Sequence, residues 1–516
     1  MLDLGRTFLQ SVERSPAALA IIDGERRLSY AQWYEQIQRT AAGVQDMGIG
    51  RGDHLVVILQ NRFEMATLHW ACQFLGVIVT PLNWRAKPDE VEYCVSDAAA
   101  KAVVFEQISA ESVAASAAAQ KIPRIAVGGA DGGSLPFEQL LQRAPAAPIL
   151  LAGSEDVSLM LYTSGTTGKP KGVPRRHRHE RAAALAHVAQ NLYRSGERTL
   201  GVMPLYHTMG VRSLLAMALV DGLIVCVPKF DPGYALRCIA EEKITCLYLV
   251  PTLYHDMLAQ RERQGADLSS VTKLGFAGAP MHDALLQRLN DVFKPELFVN
   301  HYGSSEVYTF SIDQDAVKKP GSAGRAGINT RIRVVKLNAK TPDDLADVNE
   351  EGQIVADLAG DEAFEAYWNR PDANAKSIRD GWYFTGDTGY FDADGDLFVS
   401  GRVDDMIISG GENISPVDIE SVLSLHPAVD DVAVAGLKDE RWGQRVVAFV
   451  KRKAAVDPEA LDAHCKTSDL LNFKRPREYV FVREIPKSPV GKVLRRKLVA
   501  GEYEPAGDDK DQPAPG

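Results

Sequence analysis

The chain has 516 residues, of which 45% are hydrophobic, and its formal net charge is -10. A chain of this length can bury more than one core, so we expect roughly two to four domains or subdomains. The acidic balance argues against a nucleic-acid-binding protein, which would need a basic face.

Targeting signals and cysteines indicate the cellular compartment. Charged residues at 3, 6, 13 and 14 interrupt the apolar residues of the first segment, which therefore lacks the core of a signal peptide, and no later run predicts a membrane span. The six cysteines form no Cys-x-x-Cys pair, which is typical of buried free thiols in a reducing compartment. We expect a cytoplasmic protein with small-molecule partners, no nucleic acid and no membrane span, and a homodimer is the candidate assembly.

Short β-type runs alternate with helical stretches in the first two thirds of the chain. A helix is predicted over 64–75, and strands are predicted at 54–59, 77–82, 102–105, 200–203, 223–228, 245–250, 274–277 and 297–300. This alternation predicts mainly parallel sheets covered by helices. Ligands bind beyond the carboxyl ends of strands in such sheets, so the polar segments that follow these strands should share one crevice.

The pattern changes after residue 321. Alternating runs at 331–337 and 353–358 predict a small antiparallel barrel or sheet. Ser415 followed by Pro416 predicts a helix start capped by the serine hydroxyl, and this helix should end before Pro427, with a strand next at 429–434. We predict an α/β fold: a large N-terminal domain (1–402) of two α/β subdomains plus a small β-barrel, a small α+β C-terminal domain (403–503) and a disordered tail (504–516).

The run at 162–172, Tyr-Thr-Ser-Gly-Thr-Thr-Gly-Lys-Pro-Lys-Gly, is the most informative stretch. It follows a strand-like run at 157–162, and its glycines, hydroxyls and lysines are suited to hold phosphate. A Walker loop is excluded because that motif needs a wider glycine spacing and a Ser or Thr after Gly-Lys. A polar surface turn is the alternative, which two lysines after a strand disfavour. The basic run at 175–179 is interpreted as a solvated helix start that could also attract a polyanionic substrate.

Five further segments stand in order along the chain. They are Met-Pro-Leu-Tyr-His at 203–207, Gly-Ala-Pro at 278–280, Tyr-Gly-Ser-Ser-Glu at 302–306, Tyr-Phe-Thr-Gly-Asp at 383–387 and Gly-Arg-Val-Asp at 401–404. With the loop at 162–172, this set resembles the adenylate-forming acyl-CoA synthetase superfamily over about 7–498. The segments at 401–413, 441–444 and 473–476 are most similar to aryl-CoA ligases of the halobenzoate type.

The resemblance implies an AMP-forming acid–CoA ligase that uses ATP, Mg²⁺ and coenzyme A. It forms an acyl-adenylate and then a thioester, and it swings a mobile C-terminal domain between the two steps. The implied ATP and AMP contacts are Thr163, Ser164, Gly165, Thr166, Thr167, Gly168, Lys169, Lys171, Gly278, Ala279, Pro280, Tyr302, Gly303, Ser304, Ser305, Asp387 and Arg402. Among them, Tyr302 would lie against the adenine ring with 278–280 along its edge, and Asp387, assisted by Arg402, would bind the ribose hydroxyls. Glu306 and Thr166 are the implied metal ligands, Lys492 and His207 are catalytic with Glu306, and Asp404 is the hinge.

The resemblance also assigns the acyl and CoA sites. The implied acyl pocket is an apolar, aromatic cavity with few charges, which favours a neutral ring or a medium chain over an amino acid or a dicarboxylate. Its walls are His207, Thr208, Met209, Tyr248, His301, Val307 and Tyr308. The implied CoA contacts are Arg85, Gly410, Gly411, Trp442, Phe473 and Arg475. Two residues depart from the family pattern: Ser305 replaces the usual threonine, and His301 replaces an aliphatic wall.

Four functions stay open at this stage. An aryl or alicyclic acid–CoA ligase is favoured. A medium-chain fatty acyl–CoA ligase, a stand-alone adenylation enzyme that loads an acyl-carrier protein, and a non-catalytic nucleotide-binding relative are the alternatives.

Overall fold

The computed structural model describes residues 2–129, 133–144, 150–163, 169–468, 470–487 and 493–506, apart from the side chains of 262–264, 404 and 413. Helices and strands alternate through most of the chain, as predicted, because apolar runs short enough for strands are separated by amphipathic segments with capping signals. Helix α2 (Tyr30–Asp46) illustrates this: the Ser29 hydroxyl accepts from the backbone N–H of Gln32, and the Gln32 side chain accepts in return from the N–H of Ser29.

The first part of the chain builds a seven-stranded sheet with the order β7-β6-β5-β3-β4-β8-β9, which is parallel except for the β8–β9 pair. Strands β3, β4 and β5 are buried on both faces, because helices cover both sides of the sheet. The elements are α1 Leu4–Arg14, β1 Leu19–Asp23, β2 Arg26–Ser29, α2 Tyr30–Asp46, β3 His54–Ile58, α3 Phe63–Leu75, β4 Ile78–Pro81, α4 Pro88–Asp97, β5 Ala102–Glu106, α5 Ala110–Ala115, α6 Ala117–Gln120, β6 Arg124–Val127, β7 Leu135–Pro136, α7 Phe137–Leu141, β8 Val157–Thr163, β9 Lys171–Arg176 and α8 His177–Gln190.

A nine-stranded sheet follows, with the order β16-β15-β14-β13-β12-β10-β11-β1-β2. Its central strands are parallel, and β2, β15 and β16 run antiparallel at the edges. The new elements are β10 Arg198–Gly201, α9 Thr208–Leu219, β11 Leu223–Cys226, α10 Pro232–Glu242, β12 Cys246–Leu249, α11 Pro251–Gln264, β13 Lys273–Phe276, α12 Asp283–Phe293, β14 Leu297–Tyr302, β15 Ser311–Asp313 and β16 Arg325–Ala326.

Strand β10 begins and ends about two residues before the predicted run at 200–203. The Asn61 side chain explains its early end, since its amide nitrogen donates to the carbonyls of Gly201 and Met203 at 2.8 and 2.7 Å. The Met203 carbonyl is therefore satisfied by a side chain, whereas the Gly201 carbonyl also accepts from the N–H of Val227, which follows β11.

Two smaller sheets complete the molecule. The first is antiparallel, with the strand order β17-β18-β20-β19 and with β21 beside β20. Its elements are β17 Ile332–Val335, β18 Gly352–Asp357, α13 Pro371–Ser377, β19 Ile378–Arg379, β20 Trp382–Phe391 and β21 Leu397–Arg402. The last sheet has the path β23-β22-β25-β24, with β26 beside β25, and its elements are β22 Ile407–Ser409, β23 Glu412–Ile414, α14 Pro416–Ser424, β24 Val429–Asp439, β25 Gly443–Arg452, α15 Pro458–Thr467, β26 Glu478–Phe481 and α16 Arg495–Val499. Two α/β sheets, an antiparallel sheet and a small α+β unit confirm the predicted fold class.

Three local predictions are corrected by the structure. Ser415 is the N-cap residue of α14, but its hydroxyl donates to the carbonyl of Ser400 instead of capping the helix. The basic run at 175–179 is not a solvated face, because Arg175 and His177 are fully buried. The ordered chain continues past 503: Pro505 forms a β-bridge with Val482, and residues 507–516 lie outside the described residues.

The cysteine prediction is confirmed, since all six are free and buried. Within the described parts of the chain, no helix combines the length and apolar character needed to cross a bilayer.

Candidate active site

The predicted phosphate loop connects two paired strands along the chain. Strand β8 leads into it and β9 leads out, with Thr163 paired to Lys171 in antiparallel register. The Thr163 hydroxyl donates to the carbonyl of Lys171 at 3.5 Å. A strand follows this loop, whereas a helix follows a Walker loop, which agrees with the exclusion of that motif. Ser164, Gly165, Thr166, Thr167 and Gly168 themselves lie outside the described residues.

Lys171 lies beside a carboxylate that is suited to bind a metal ion. Its ammonium group is 4.0 Å from the centre of the Tyr367 ring, and the Tyr367 hydroxyl donates to Glu306 Oε1 at 2.6 Å. Burial lowers the pKa of Lys171, and the Glu306 carboxylate opposes that change. Lys169, by contrast, is exposed, with its ammonium group 5.3 Å from the centre of the Tyr93 ring.

The backbone around Glu306 is fixed from both sides. Arg175 Nη1 donates to the Glu306 carbonyl at 3.0 Å, and the Ser304 hydroxyl accepts from the Glu306 N–H at 3.2 Å. Gly303 allows the tight turn, because a Cβ there would lie 2.0 Å from the carbonyl oxygen of Tyr308. Ser305 sits in the same turn and is half-buried.

A single buried carboxylate fits Mg²⁺ bound mainly by nucleotide phosphates, since Mg²⁺ usually takes one or two protein carboxylates and completes its shell with phosphate and water. Among the described residues, the one cluster of three acidic side chains close enough to share an ion is Asp392, Asp394 and Asp396. The Lys319 ammonium group lies among these carboxylates, 2.8 Å from both Asp394 and Asp396, and the Arg325 guanidinium is 3.2 Å from Asp396, so the protein already offsets most of their charge.

A second carboxylate is held by two donors in the antiparallel sheet. Asp387 pairs with Arg402 across β20 and β21, and Arg402 Nη1 donates to Asp387 Oδ1 at 2.7 Å. The Tyr302 hydroxyl donates to Asp387 Oδ2 at 2.6 Å. Gly386 precedes this aspartate at φ +77°, and a Cβ there would lie 2.9 Å from Arg402 Nη2. The predicted ribose residues are therefore brought together, with carboxylate lone pairs left to accept from a ligand.

The predicted adenine edge lies beside the predicted acyl pocket. Gly278, Ala279 and Pro280 follow β13, and the Cβ position of Gly278 is 3.8 Å from Met209 Sδ. Met209 belongs to the same apolar cluster as Tyr248.

Tyr248 and His301 form the aromatic part of the predicted acyl pocket, with ring centres 5.0 Å apart. Tyr308 is also buried, but its hydroxyl is committed to Glu180 Oε2 at 3.0 Å. Val307 is not grouped with these residues: it packs in the cluster that contains Phe310. The role of Val307 as a wall of the acyl pocket stays a prediction.

His207 is the N-cap residue of α9, and its Nδ1 accepts from the backbone N–H of Met209 at 3.4 Å. Thr208 follows as the first residue of that helix, and its hydroxyl lies 3.4 Å from the same nitrogen. The orientation of the His207 ring is thus set by a helix start, which places it next to Met209.

Comparison with known families agrees with this geometry. The family model for AMP-binding enzymes matches residues 8–368, and the model for the AMP-binding enzyme C-terminal domain matches residues 418–492. The chain belongs to the AMP-binding enzyme family.

Relatives of this AMP-binding enzyme include acid–CoA ligases of two substrate classes. A 4-chlorobenzoate–CoA ligase of Arthrobacter sp. is 34% identical over 498 residues, covering 95% of this chain and 93% of the relative. A long-chain-fatty-acid–CoA ligase of Mycobacterium tuberculosis is 31% identical, covering 96% and 98%. Among solved structures, an anthranilate CoA ligase in complex with anthranoyl-AMP has a TM-score of 0.89 at 25% identity, covering 97% of each chain. The protein is an AMP-forming acid–CoA ligase whose substrates include ATP and CoA.

Three of the six predicted CoA residues of this AMP-binding enzyme lie together. Gly410 and Gly411 form the turn between β22 and β23, and the Cβ position of Gly410 is 2.9 Å from the Trp442 ring, so these residues lie together. Arg475 is committed to Asp462 by an ion pair of 2.8 Å. Phe473 is exposed, and Arg85 is exposed with its guanidinium stacked 3.6 Å over Trp84.

Two predicted residues are not described at the side-chain level. Asp404 lies in a short 3₁₀ turn, Val403–Asp405, and its side chain is not described. Lys492 lies outside the described residues. Their hinge and catalytic roles stay predictions.

Two functional candidates were missed by sequence reasoning. His187 on α8 contacts both Tyr248 and His301, with ring-centre distances of 4.8 and 5.2 Å. Arg212 on α9 is buried beside Tyr308, 5.2 Å from its ring centre. The sequence does contain an indication of Arg212, because it is the one charged residue in helix α9.

Proposed function

We propose that the acid is aryl or alicyclic, of benzoate-like size. The observation that carries this proposal is the aromatic cluster of His187, Tyr248 and His301, whose ring centres are 4.8 to 5.2 Å apart. Rings of this kind pack well against a flat or compact ring, and the cluster lies near Met209 and Gly278, beside the predicted adenine edge.

In the first half-reaction, a carboxylate oxygen of the acid attacks the α-phosphorus of ATP while the bond to the pyrophosphate oxygen breaks. Asp387 accepts from the ribose hydroxyls, and Arg402 and Tyr302 hold that carboxylate in place. Lys171 offers a positive charge to the phosphates at the end of the hairpin. Lys492 bridges the acid and the α-phosphate, a task suited to a mobile point charge.

Glu306 is the proposed protein ligand of Mg²⁺, with Thr166 as the second. The Tyr367 hydroxyl and Arg175 fix the Glu306 side chain and backbone, so the carboxylate is positioned before the nucleotide arrives. When bound, Mg²⁺ neutralises charge on the phosphates.

In the second half-reaction, the thiol of CoA attacks the carbonyl carbon of the acyl-adenylate, and AMP leaves. We assign the C-terminal domain to 403–503, with Asp404 as the hinge. The turn at Gly410 and Gly411, with Trp442 beside it, would line the pantetheine path. Arg441 and Arg477 flank Trp442, with their guanidinium groups 4.8 and 5.9 Å from its ring centre, which supports a role for this surface in binding the phosphates of CoA.

The proposal includes a homodimer in the cytoplasm. Six buried free thiols support a reducing compartment. Size-exclusion chromatography with light scattering tests the dimer, and fractionation of the source cells tests the location.

A medium-chain fatty acid is the second candidate substrate, and the long-chain-fatty-acid–CoA ligase of Mycobacterium described above supports a fatty acid in general. The experiment measures pyrophosphate release with ATP, Mg²⁺ and a panel of benzoates, halobenzoates, hydroxybenzoates, cyclohexanecarboxylate, fatty acids and malonate. Turnover that requires a ring acid supports the proposal. Turnover confined to fatty acids would refute the ring assignment and keep the mechanism. A rate only with a phosphopantetheinylated carrier would favour carrier loading, and no rate with any acid would favour a non-catalytic relative.

A further inference from the structure

The aromatic wall of the acyl pocket contains unsatisfied hydrogen-bonding groups. Within the described part of the chain, His187 Nε2, His301 Nδ1 and all three guanidinium nitrogens of Arg212 are buried without a hydrogen-bond partner. Buried polar atoms are nearly always paired, because an unpaired one costs roughly 1–3 kcal/mol. Their concentration around one cluster indicates a ligand that supplies the missing partners.

Asn191 determines which of these nitrogens carry protons. Its Nδ2 donates to the backbone carbonyl of His187 at 2.8 Å, and since a carbonyl can only accept, the orientation of the amide is fixed. The same Nδ2 lies 3.1 Å from His187 Nδ1, so that ring nitrogen accepts. Asn191 Oδ1 lies 3.1 Å from His301 Nε2, so that ring nitrogen donates.

Both rings are neutral in this environment. Burial, with the nearby Arg212 charge, lowers the pKa of His301 well below its usual value, and burial together with His301 and Arg212 does the same to the pKa of His187. A neutral imidazole carries one proton. His187 therefore has a free Nε2–H donor, and His301 has a free Nδ1 acceptor.

Charge balance disfavours a second carboxylate as the missing partner. Arg212 Nη2 is 3.9 Å from Glu362 Oε2, and Arg175 Nε is 2.8 Å from Glu180 Oε1, so each buried guanidinium has its own carboxylate. An additional buried anion would be uncompensated. The unpaired groups suit a neutral group that both donates and accepts.

We propose that the ring of the acid carries a hydroxyl group, which donates to His301 Nδ1 and accepts from His187 Nε2–H or from Arg212. This inference rests on the proposed ring-acid function and names the substrate class more closely. His301, His187 and Arg212 are then specificity-determining residues, and Asn191 is a positioning residue that fixes both tautomers. A site built to hydrogen-bond a hydroxyl strongly rejects analogues that lack it, so the hydroxylated acid should be preferred by roughly 100-fold or more in kcat/KM.

The test compares matched acids by pyrophosphate release with ATP, Mg²⁺ and CoA. The three hydroxybenzoate isomers are set against the corresponding fluorobenzoates and methoxybenzoates and against benzoate, and 4-hydroxycyclohexanecarboxylate is set against cyclohexanecarboxylate. Fluorine cannot donate a hydrogen bond, and a methoxy group only accepts. We expect one hydroxyl isomer to exceed its fluoro and methoxy partners by roughly 100-fold.

Variants test the assigned atoms through the ratio of hydroxylated to non-hydroxylated acid, which a purely structural defect would not move. His301→Leu removes the acceptor and should reduce the ratio to about one-tenth or less. His301→Asn retains an acceptor near the position of Nδ1 and should restore part of it. Asn191→Asp replaces the donor to His187 and should also lower the ratio. His69→Leu is the control, because His69 is likewise buried with an unpaired Nε2 but lies outside the cluster.

The results distinguish failure of the hydroxyl assignment from failure of the ring-acid function. Ring acids that turn over equally well with and without the hydroxyl would overturn this inference and leave the proposed function intact. Activity confined to aliphatic acids would overturn both. A hydroxyl preference that His301→Leu leaves unchanged would overturn the assignment to this cluster.

Discussion

Asp387→Asn is the perturbation that tests the nucleotide site most sharply. The Asp387 carboxylate accepts from Tyr302 at 2.6 Å and from Arg402 at 2.7 Å, one donor for each oxygen. An asparagine has only one oxygen, so its amide nitrogen must face either Arg402, which can only donate, or Tyr302, whose hydroxyl would then have to accept instead of donating. The variant retains the size of the side chain but removes its charge.

The expected magnitude follows from the lost charged hydrogen bond. Hydrogen bonds to a charged group contribute roughly 1.5–3 kcal/mol, and the Asp387 side chain is only 14% exposed, so solvent screens it little. A loss of about 2 kcal/mol in ATP binding corresponds to roughly a 30-fold rise in the KM for ATP. The KM for the acid should change little, because the acyl cluster does not contact Asp387.

Steady-state pyrophosphate release at saturating acid, with ATP varied, measures this effect. Asp357→Asn is the matched control: it lies on β18 of the same sheet and is paired to Arg331 at 2.9 Å. The control should leave the KM for ATP within about twofold of wild type, since neutralising a pair outside the site removes no substrate contact. An unchanged KM for ATP in Asp387→Asn, or an equal rise in the control, would refute the ribose assignment.

Three further predictions concern stability and the division of labour. Arg175→Met leaves the fully buried Glu180 carboxylate without its cation and should lower the free energy of unfolding by about 3–5 kcal/mol, measured by urea denaturation; a loss below about 1 kcal/mol would contradict it. Lys492→Ala should abolish acyl-adenylate formation while CoA still consumes supplied acyl-adenylate, measured in separate half-reactions; equal losses would contradict it. Burial lowers the pKa of His54 and of His177 to about 4. The free energy of unfolding should therefore be highest above about pH 6.5 and should fall as the pH drops towards 4, by up to about 1.4 kcal/mol per pH unit for each ring. A urea midpoint that stays constant between pH 7 and 5 would contradict this prediction.

The sequence predicted the features that depend on local patterns. Strand β8 follows from an apolar run that ends at hydroxyl-bearing residues and glycine, and the alternation of strands with helices follows from periodicity. The pairing of Asp387 with Arg402 also agrees with their predicted common role, because the two strands that carry them are adjacent in the chain and form one antiparallel pair.

The features that the sequence did not predict depend on long-range contacts. Arg175 and His177 are typical of a solvated run in sequence, but the partners that permit their burial are supplied by other elements, including the Glu306 carbonyl and the Leu4 N–H. The Ser415 hydroxyl was expected to cap its own helix and instead reaches Ser400.

The acyl cluster (His187, Tyr248, His301 and Arg212) was predicted only in part, because long-range contacts bring its side chains together. Its histidines and Arg212 come from α8, α9 and β14, and no local pattern reveals that these elements place them side by side. The prediction of a pocket with few charges therefore overlooked a buried guanidinium group.

The most direct test of the central claim separates the two half-reactions in one tube. Enzyme, ATP, Mg²⁺ and a ring acid are first incubated without CoA, and the bound products are identified by mass spectrometry; CoA is then added. The proposed mechanism predicts that pyrophosphate and enzyme-bound acyl-adenylate accumulate first, and that AMP and the acyl-CoA thioester appear only after CoA is added. Acyl-adenylate that persists with CoA but is consumed by a phosphopantetheinylated carrier, or the absence of any acyl-adenylate, would contradict it.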